Sequence, residues 1–218
     1  MALNKLKYNS LNVTPAASKA IRFDSGADGF ETASAGGKLV KIKTLTASSS
    51  STLSFVDGAS SVVLDNTYKE YLFTFNNIHP SAAATFTFNV SIDSGSNYNV
   101  AKTSTFFMTQ HDEGDTETSL SYDSDKDLAQ GTGFQSLDLG SGTDNDNNLS
   151  GYLQLFDPAS TTFVKHFMTA TSCTHSQTYA NHTHVAGYAN TTSAVDAVQF
   201  KMSTGDIDAG TITLYGVS

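Results

Sequence analysis

The segment from residue 84 to residue 92 restricts the fold of this chain more than any other part of the sequence. Its apolar residues are Phe86, Phe88, Val90 and Ile92, and the polar residues between them are Thr85, Thr87, Asn89 and Ser91. A period of two fits a strand, whose successive side chains point to opposite faces, and does not fit a helix. The pattern predicts a strand with the apolar set in the core and the polar set on the outside.

Similar segments, separated by turn signals, recur to the end of the chain. Strands are predicted at 39–46, 69–78, 103–109, 118–122, 149–156, 162–170, 184–190, 195–202 and 210–217, with a turn at Asp57-Gly58 between shorter apolar segments. The 14 Phe and 9 Tyr residues supply a core, and aromatic and branched side chains favour strands. About ten strands of this kind predict an all-β fold, a jelly-roll-like antiparallel sandwich over residues 38–218.

Residues 1–37 have a different character, because their apolar residues are scattered without a period and four glycines interrupt the second half. Too little apolar surface is present for an independent core. We expect an extended N-terminal arm that binds another protein or a neighbouring subunit; a disordered tail is the alternative. The expected anchors of the arm are Leu3, Leu6, Tyr8, Leu11 and Val13.

The charge balance argues against two classes of partner. The formal net charge is -9, whereas binding to nucleic acid phosphates or to an anionic bilayer requires a surplus of Lys and Arg. The sequence therefore predicts no nucleic acid and no membrane as partners. Cys173 is the only cysteine, so no intrachain disulfide can form. The first twelve residues contain no apolar run typical of a signal peptide, and we expect synthesis in a cytoplasm and release with a particle.

Four potential metal ligands lie close together in the sequence, as Cys173-x-His175 and His182-x-His184. If the turn of a hairpin centres on 177–180, Cys173 lies opposite His184 and His175 lies opposite His182. All four side chains would then share one face and could surround one zinc ion. Alternatively, His182 and His184 from three chains could meet on an axis and bind zinc or iron through six nitrogens. Ordinary polar side chains on a surface hairpin are the third interpretation.

Two acidic loops, at 110–117 and 138–148, are predicted to be exposed tips. The alternating carboxylates at 123–127 and 144–148 suit calcium, but they lack the glycine and glutamate spacing of an EF-hand, so solvated loop charge is the favoured reading. Carboxylate pairs could also belong to a glycosidase. The candidates are Asp112, Glu113, Asp115 and Glu117. The chain has no Trp to stack on sugar rings, and the sequence predicts no enzyme.

Three segments resemble sequences of tailed-phage virion proteins. They are TLTASSSSTLSFVDGASSVVLDNTYKEYLFTFNNIHP at 44–80, FTFNVSIDSGSNY at 86–98 and FKMSTGDIDAGTITLYGV at 200–217. The resemblance covers most of residues 40–218 and includes fibre-like, head-fibre-like and decoration proteins. It implies a jelly-roll-like domain, a homo-oligomer and no chemistry.

The resemblance leads to a functional expectation: a non-enzymatic structural component of a tailed-phage virion, fibre-like or decoration, anchored by residues 1–37. The expected assembly is a homotrimer, and the expected partners are other virion proteins. The alternative is a carbohydrate-binding or depolymerising module that engages a host surface glycan, which exposed loop aromatics such as Tyr179 or Tyr188 would support.

Overall fold

The fold is described from a computed structural model, which covers residues 39–175 and 178–218 in full and the backbone of two short strands before them. Contacts divide the chain after Lys38. In the first unit, β1 (Ala20–Phe23) pairs antiparallel with β2 (Phe30–Ala33). The predicted anchors of the arm, from Leu3 to Val13, lie outside the described residues.

The second unit, Leu39–Ser218, contains twelve strands among its described residues. They are β3 (Leu39–Thr46), β4 (Leu53–Val56), β5 (Glu70–Pro80), β6 (Phe86–Ser91), β7 (Lys102–Asp112), β8 (Thr118–Tyr122), β9 (Gln135–Ser136), β10 (Leu149–Phe156), β11 (Lys165–His175), β12 (Tyr179–Ala189), β13 (Ala197–Met202) and β14 (Ile207–Val217). None of the described residues forms a helix of the length and apolarity needed to cross a lipid bilayer.

These strands form two antiparallel sheets that face each other. The large sheet has the order β3-β14-β5-β10-β11-β12-β7-β8, and the small sheet has the order β4-β13-β6-β9. The chain crosses repeatedly from one sheet to the other, so neighbouring strands within a sheet are often distant in sequence. The predicted fold class, an all-β antiparallel sandwich, is confirmed.

A cluster of phenylalanines fills the space between the sheets. Phe200 on β13 lies at its centre, and its ring centroid is 5.3 to 6.4 Å from those of five other rings. The five are Phe55, Phe73, Phe75, Phe86 and Phe88, all fully buried. Edge-to-face and offset contacts of this kind stabilise a core beyond the burial of apolar area. The alternating aromatics of the sequence are therefore core residues, as predicted.

Strand β6 departs from the prediction on its polar face. Thr87, Asn89 and Ser91 are buried, whereas the sequence placed them outside. The reason is that two other segments cover this face. Asn89 Nδ2 donates to the carbonyl oxygens of Tyr98 at 2.7 Å and Thr132 at 3.0 Å. Ile92, predicted to be a core residue, is instead 42% exposed, because β6 ends before it.

Candidate functional site

The outer face of the large sheet is unusual where five strands, β10, β11, β12, β7 and β8, lie side by side. Residues that alternate with the buried ones point outward here, and their register follows from the strand pairing. We call this set the histidine–aromatic face. Its members are Ser150, Tyr152, Gln154, Phe156, His166, Met168, Ala170, Ser172, His182, His184, Ala186, Tyr188, Thr103, Thr105, Phe107, Thr109, Leu120 and Tyr122.

Large apolar side chains on this face are open to solvent. Leu120 is 73% exposed and Met168 is 53% exposed, and the rings of Phe107, Tyr122 and Tyr152 are also exposed. Exposed apolar side chains that are rimmed by polar residues often mark sites of interaction. The histidine–aromatic face is therefore the candidate functional site.

One row of the face is built from rings that contact each other. The Phe107 ring is stacked on the His184 imidazole, with 5.1 Å between centroids and 14° between planes. His182 lies 4.3 Å from His184, centroid to centroid. Burial, and to a lesser extent the neighbouring His184, lower the pKa of His182. Phe107, His184 and His182 thus form one continuous row of rings.

A groove of 490 Å³ lies in the same face, beside the start of β11 and the end of β12. Phe156, His166, Met168 and Tyr188 contribute side chains to its lining. The His166 and Tyr188 rings are at an edge-to-face angle, 6.0 Å apart. Tyr188 therefore lies on a strand and lines a groove, whereas the sequence suggested an exposed loop position.

The hairpin of β11 and β12 does not have the predicted register. Cys173 lies opposite Asn181 and His175 lies opposite Tyr179, while His182 pairs with Ser172. Each residue of β11 lies opposite a residue of β12 that is three positions earlier than predicted. Because side chains alternate between the two faces of a strand, a shift by an odd number moves a side chain to the opposite face. Cys173 consequently faces the core, and His182 and His184 face outward.

The prediction that one chain gathers these four residues around a zinc ion is therefore wrong. No group of three or more His, Cys, Asp or Glu side chains suited to a metal occurs among the described residues. Burial raises the pKa of the Cys173 thiol to about 12, which keeps it protonated. The three-chain arrangement, with zinc or iron on an axis, depends only on the spacing of His182 and His184 and stays a prediction.

The acidic loop after β7 is held together by its own carboxylates. Asp112 accepts hydrogen bonds from the Thr116 hydroxyl at 2.6 Å and from the Glu117 amide at 2.7 Å, and these bonds lower its pKa to about 2. Asp115 is 3.1 Å from His111, and Glu117 accepts the Tyr179 hydroxyl. These candidates for glycoside hydrolysis thus serve as loop and strand contacts. Tyr179, which the sequence suggested as an exposed loop aromatic, therefore contacts this loop through its hydroxyl group.

The other acidic segments are also bound locally or buried. Asp123 accepts the Asp125 amide, and Asp127 accepts the Tyr122 hydroxyl. Asp138 is buried, and its carboxylate accepts the Phe86 amide at 2.8 Å. Burial raises its pKa to about 7. The loop at 138–148 is therefore exposed only in its middle, from 143 to 146, and not as a whole.

Two buried lysines were missed by the sequence reasoning. Lys102 Nζ donates to Asn89 Oδ1 at 2.5 Å and to the Val100 carbonyl at 3.0 Å, and burial lowers its pKa to about 7. Lys165 Nζ donates to the carbonyl oxygens of Phe163 and Thr191. The alternation of faces along β7 could have revealed the burial of Lys102, because Lys102 lies on the same face as the core residue Phe106.

Comparison of the chain with models of known protein families, with curated proteins and with solved structures finds no match.

Proposed function

We propose that the chain is a non-enzymatic structural subunit of a tailed-phage virion, fibre-like or decoration. Residues 1–37 would anchor it to other virion proteins, and the sandwich would form a homo-oligomer, expected to be a trimer. The observation that carries the proposal is the histidine–aromatic face, because it exposes large apolar side chains on five adjacent strands.

A structural subunit needs surfaces that pack against other proteins. Sheets pack face to face at a separation of about 10 Å, with the side chains of the two faces interdigitating. Thr, Ser and Ala at alternating outward positions leave room between the larger rings of Phe107 and Tyr152. The resemblance of residues 44–80 and 200–217 to virion proteins supports the same role.

The proposal is tested on particles of the phage that encodes the chain. We expect mass spectrometry of purified virions to find the full-length protein at a fixed copy number, and immunogold labelling to locate it at one place on the particle. Its absence from purified virions would overturn the proposal.

A second gene encoding residues 38–218 alone tests the arm: the truncated chain should fold, as judged by circular dichroism, but should be missing from particles. Normal incorporation would show that residues 1–37 are not the anchor.

Carbohydrate binding is the second candidate, and the groove favours it. Tyr188 and His166 offer ring surfaces on which a sugar could lie, and Thr103 and Thr105 offer hydroxyl groups. Calorimetric titration with host surface glycans should then give binding that Tyr188→Ala removes. Phe163→Ala, at an exposed aromatic outside the groove, should leave it unchanged. Equal binding by both variants would exclude the groove.

A further inference from the structure

The histidine–aromatic face is free of the charges that cover the rest of the chain. None of its 18 residues, taken from the described strands β10, β11, β12, β7 and β8, is Asp, Glu, Lys or Arg. The chain as a whole carries 21 acidic and 12 basic residues. Carboxylates occur only beyond the border, where Glu70 Oε2 accepts Gln154 Nε2 and Asp127 accepts the Tyr122 hydroxyl.

We propose that this face binds other copies of the same chain. The inference deepens the proposed structural role by naming the partner and the surface. Because it concerns the isolated chain in solution, its failure would leave the presence of the protein on virions untouched.

Charge restricts where a second copy can bind. Two copies, each with a net charge of -9, repel each other when acidic surfaces approach. A face without Asp, Glu, Lys or Arg brings no such side chain into the contact, so none of these ions must leave water. A strongly basic partner would instead be recognised by carboxylates, which this face lacks. A second histidine–aromatic face offers the same rings and hydroxyl groups as the first.

The size of the face sets the expected affinity. Five strands at a spacing of about 4.8 Å, and six residues along each at about 3.3 Å, give an area of roughly 20 Å by 20 Å per copy. Two such areas together make about 800 Å², which is below the standard size of specific interfaces and in the range of weak ones. We therefore expect weak association, in the micromolar range.

Sedimentation velocity of the full chain across the micromolar range tests the proposal. The wild-type chain should show a concentration-dependent oligomer. Leu120→Glu and Met168→Glu place a carboxylate on the face at highly exposed positions, so folding should be intact by circular dichroism and thermal melting. Each should weaken association at least tenfold.

Phe163→Glu is the matched control, because Phe163 is 71% exposed and lies outside the face. It should associate like the wild-type chain. Three results would overturn the proposal: a wild-type chain that stays monomeric, face variants that associate normally, or a Phe163→Glu variant weakened as much as the face variants. A monomeric wild-type chain that binds a soluble glycan through Tyr188 would assign the face to carbohydrate instead.

Discussion

Lys102 offers a direct test of how charge is held inside the sandwich. Its side chain is fully buried at the start of β7, where the ammonium donates to Asn89 Oδ1 and to the Val100 carbonyl. Burial lowers its pKa from 10.5 to about 7, because the charged form loses its hydration. The unfolded chain keeps the proton up to about pH 10.5, so folding releases a proton between pH 7 and pH 10.5.

The free energy of unfolding should therefore rise with pH over this window. Integrating the difference in bound protons from pH 7 to pH 9 gives about 2 kcal/mol of added stability. Lys102→Met keeps the volume and removes the titration. It also leaves Asn89 Oδ1 and the Val100 carbonyl without this donor, which costs about 1 to 3 kcal/mol. The loss of these hydrogen bonds is the same at every pH, so the stability of the wild-type chain relative to Lys102→Met should rise by about 2 kcal/mol from pH 7 to pH 9.

Urea unfolding of both chains at half-unit steps from pH 7 to pH 9, followed by circular dichroism, measures the difference. Lys69→Met, which removes an exposed ammonium beside Asp157, controls for the loss of one positive charge. A wild-type minus Lys102→Met difference that stays constant across the window would refute the reasoning, because it would mean that Lys102 has the same pKa in both states.

Three further predictions concern other interior positions. The folded chain holds the Asp138 proton to about pH 7, so the free energy of unfolding of the wild-type chain should fall by at most about 4 kcal/mol as the pH rises from about 4 to 7. Asp138→Asn should remove this fall, and urea unfolding at pH 5 and pH 8 measures it. Gly187→Ala should lower the melting temperature, since a Cβ would lie 2.4 Å from the Thr103 carbonyl oxygen, at a cost of about 2 kcal/mol or more. Gly133→Ala, with open space at its Cβ, should not. Cys173 should resist Ellman's reagent at pH 8 in the folded chain and react in urea; rapid reaction of the folded chain would contradict its burial.

The alternation of apolar and polar residues along the chain was sufficient to predict most of the strands and most of the core. The predicted segments 39–46 and 149–156 coincide with β3 and β10, and the alternating phenylalanines are buried. In β10 one face of the strand is buried, and the period of two reports that burial directly, whereas no residue of the edge strand β3 is buried. The two-residue strand β9 was missed, because its pairing with β6 leaves no period to detect.

Contacts between segments that are distant in sequence could not be predicted from the alternation of residues along one strand. Asn89 seemed an outward residue until segments around Tyr98 and Thr132 covered it. The hairpin register was wrong because two polar strands give no apolar alternation that would fix it. The observed pairing of His175 with Tyr179 places His182 on the outer face. The histidine–aromatic face itself depends on the order of five strands, which the sequence did not reveal.

The cluster around Phe200 has a consequence for the way the chain is made. Phe55 and Phe73 lie on β4 and β5, but the ring that joins them comes from β13. A ribosome must release every strand from β4 to β13 before this core can close. Sheets built from such distant partners fold slowly, on the order of milliseconds to seconds. During synthesis the early aromatic strands lack their partner ring until β13 appears.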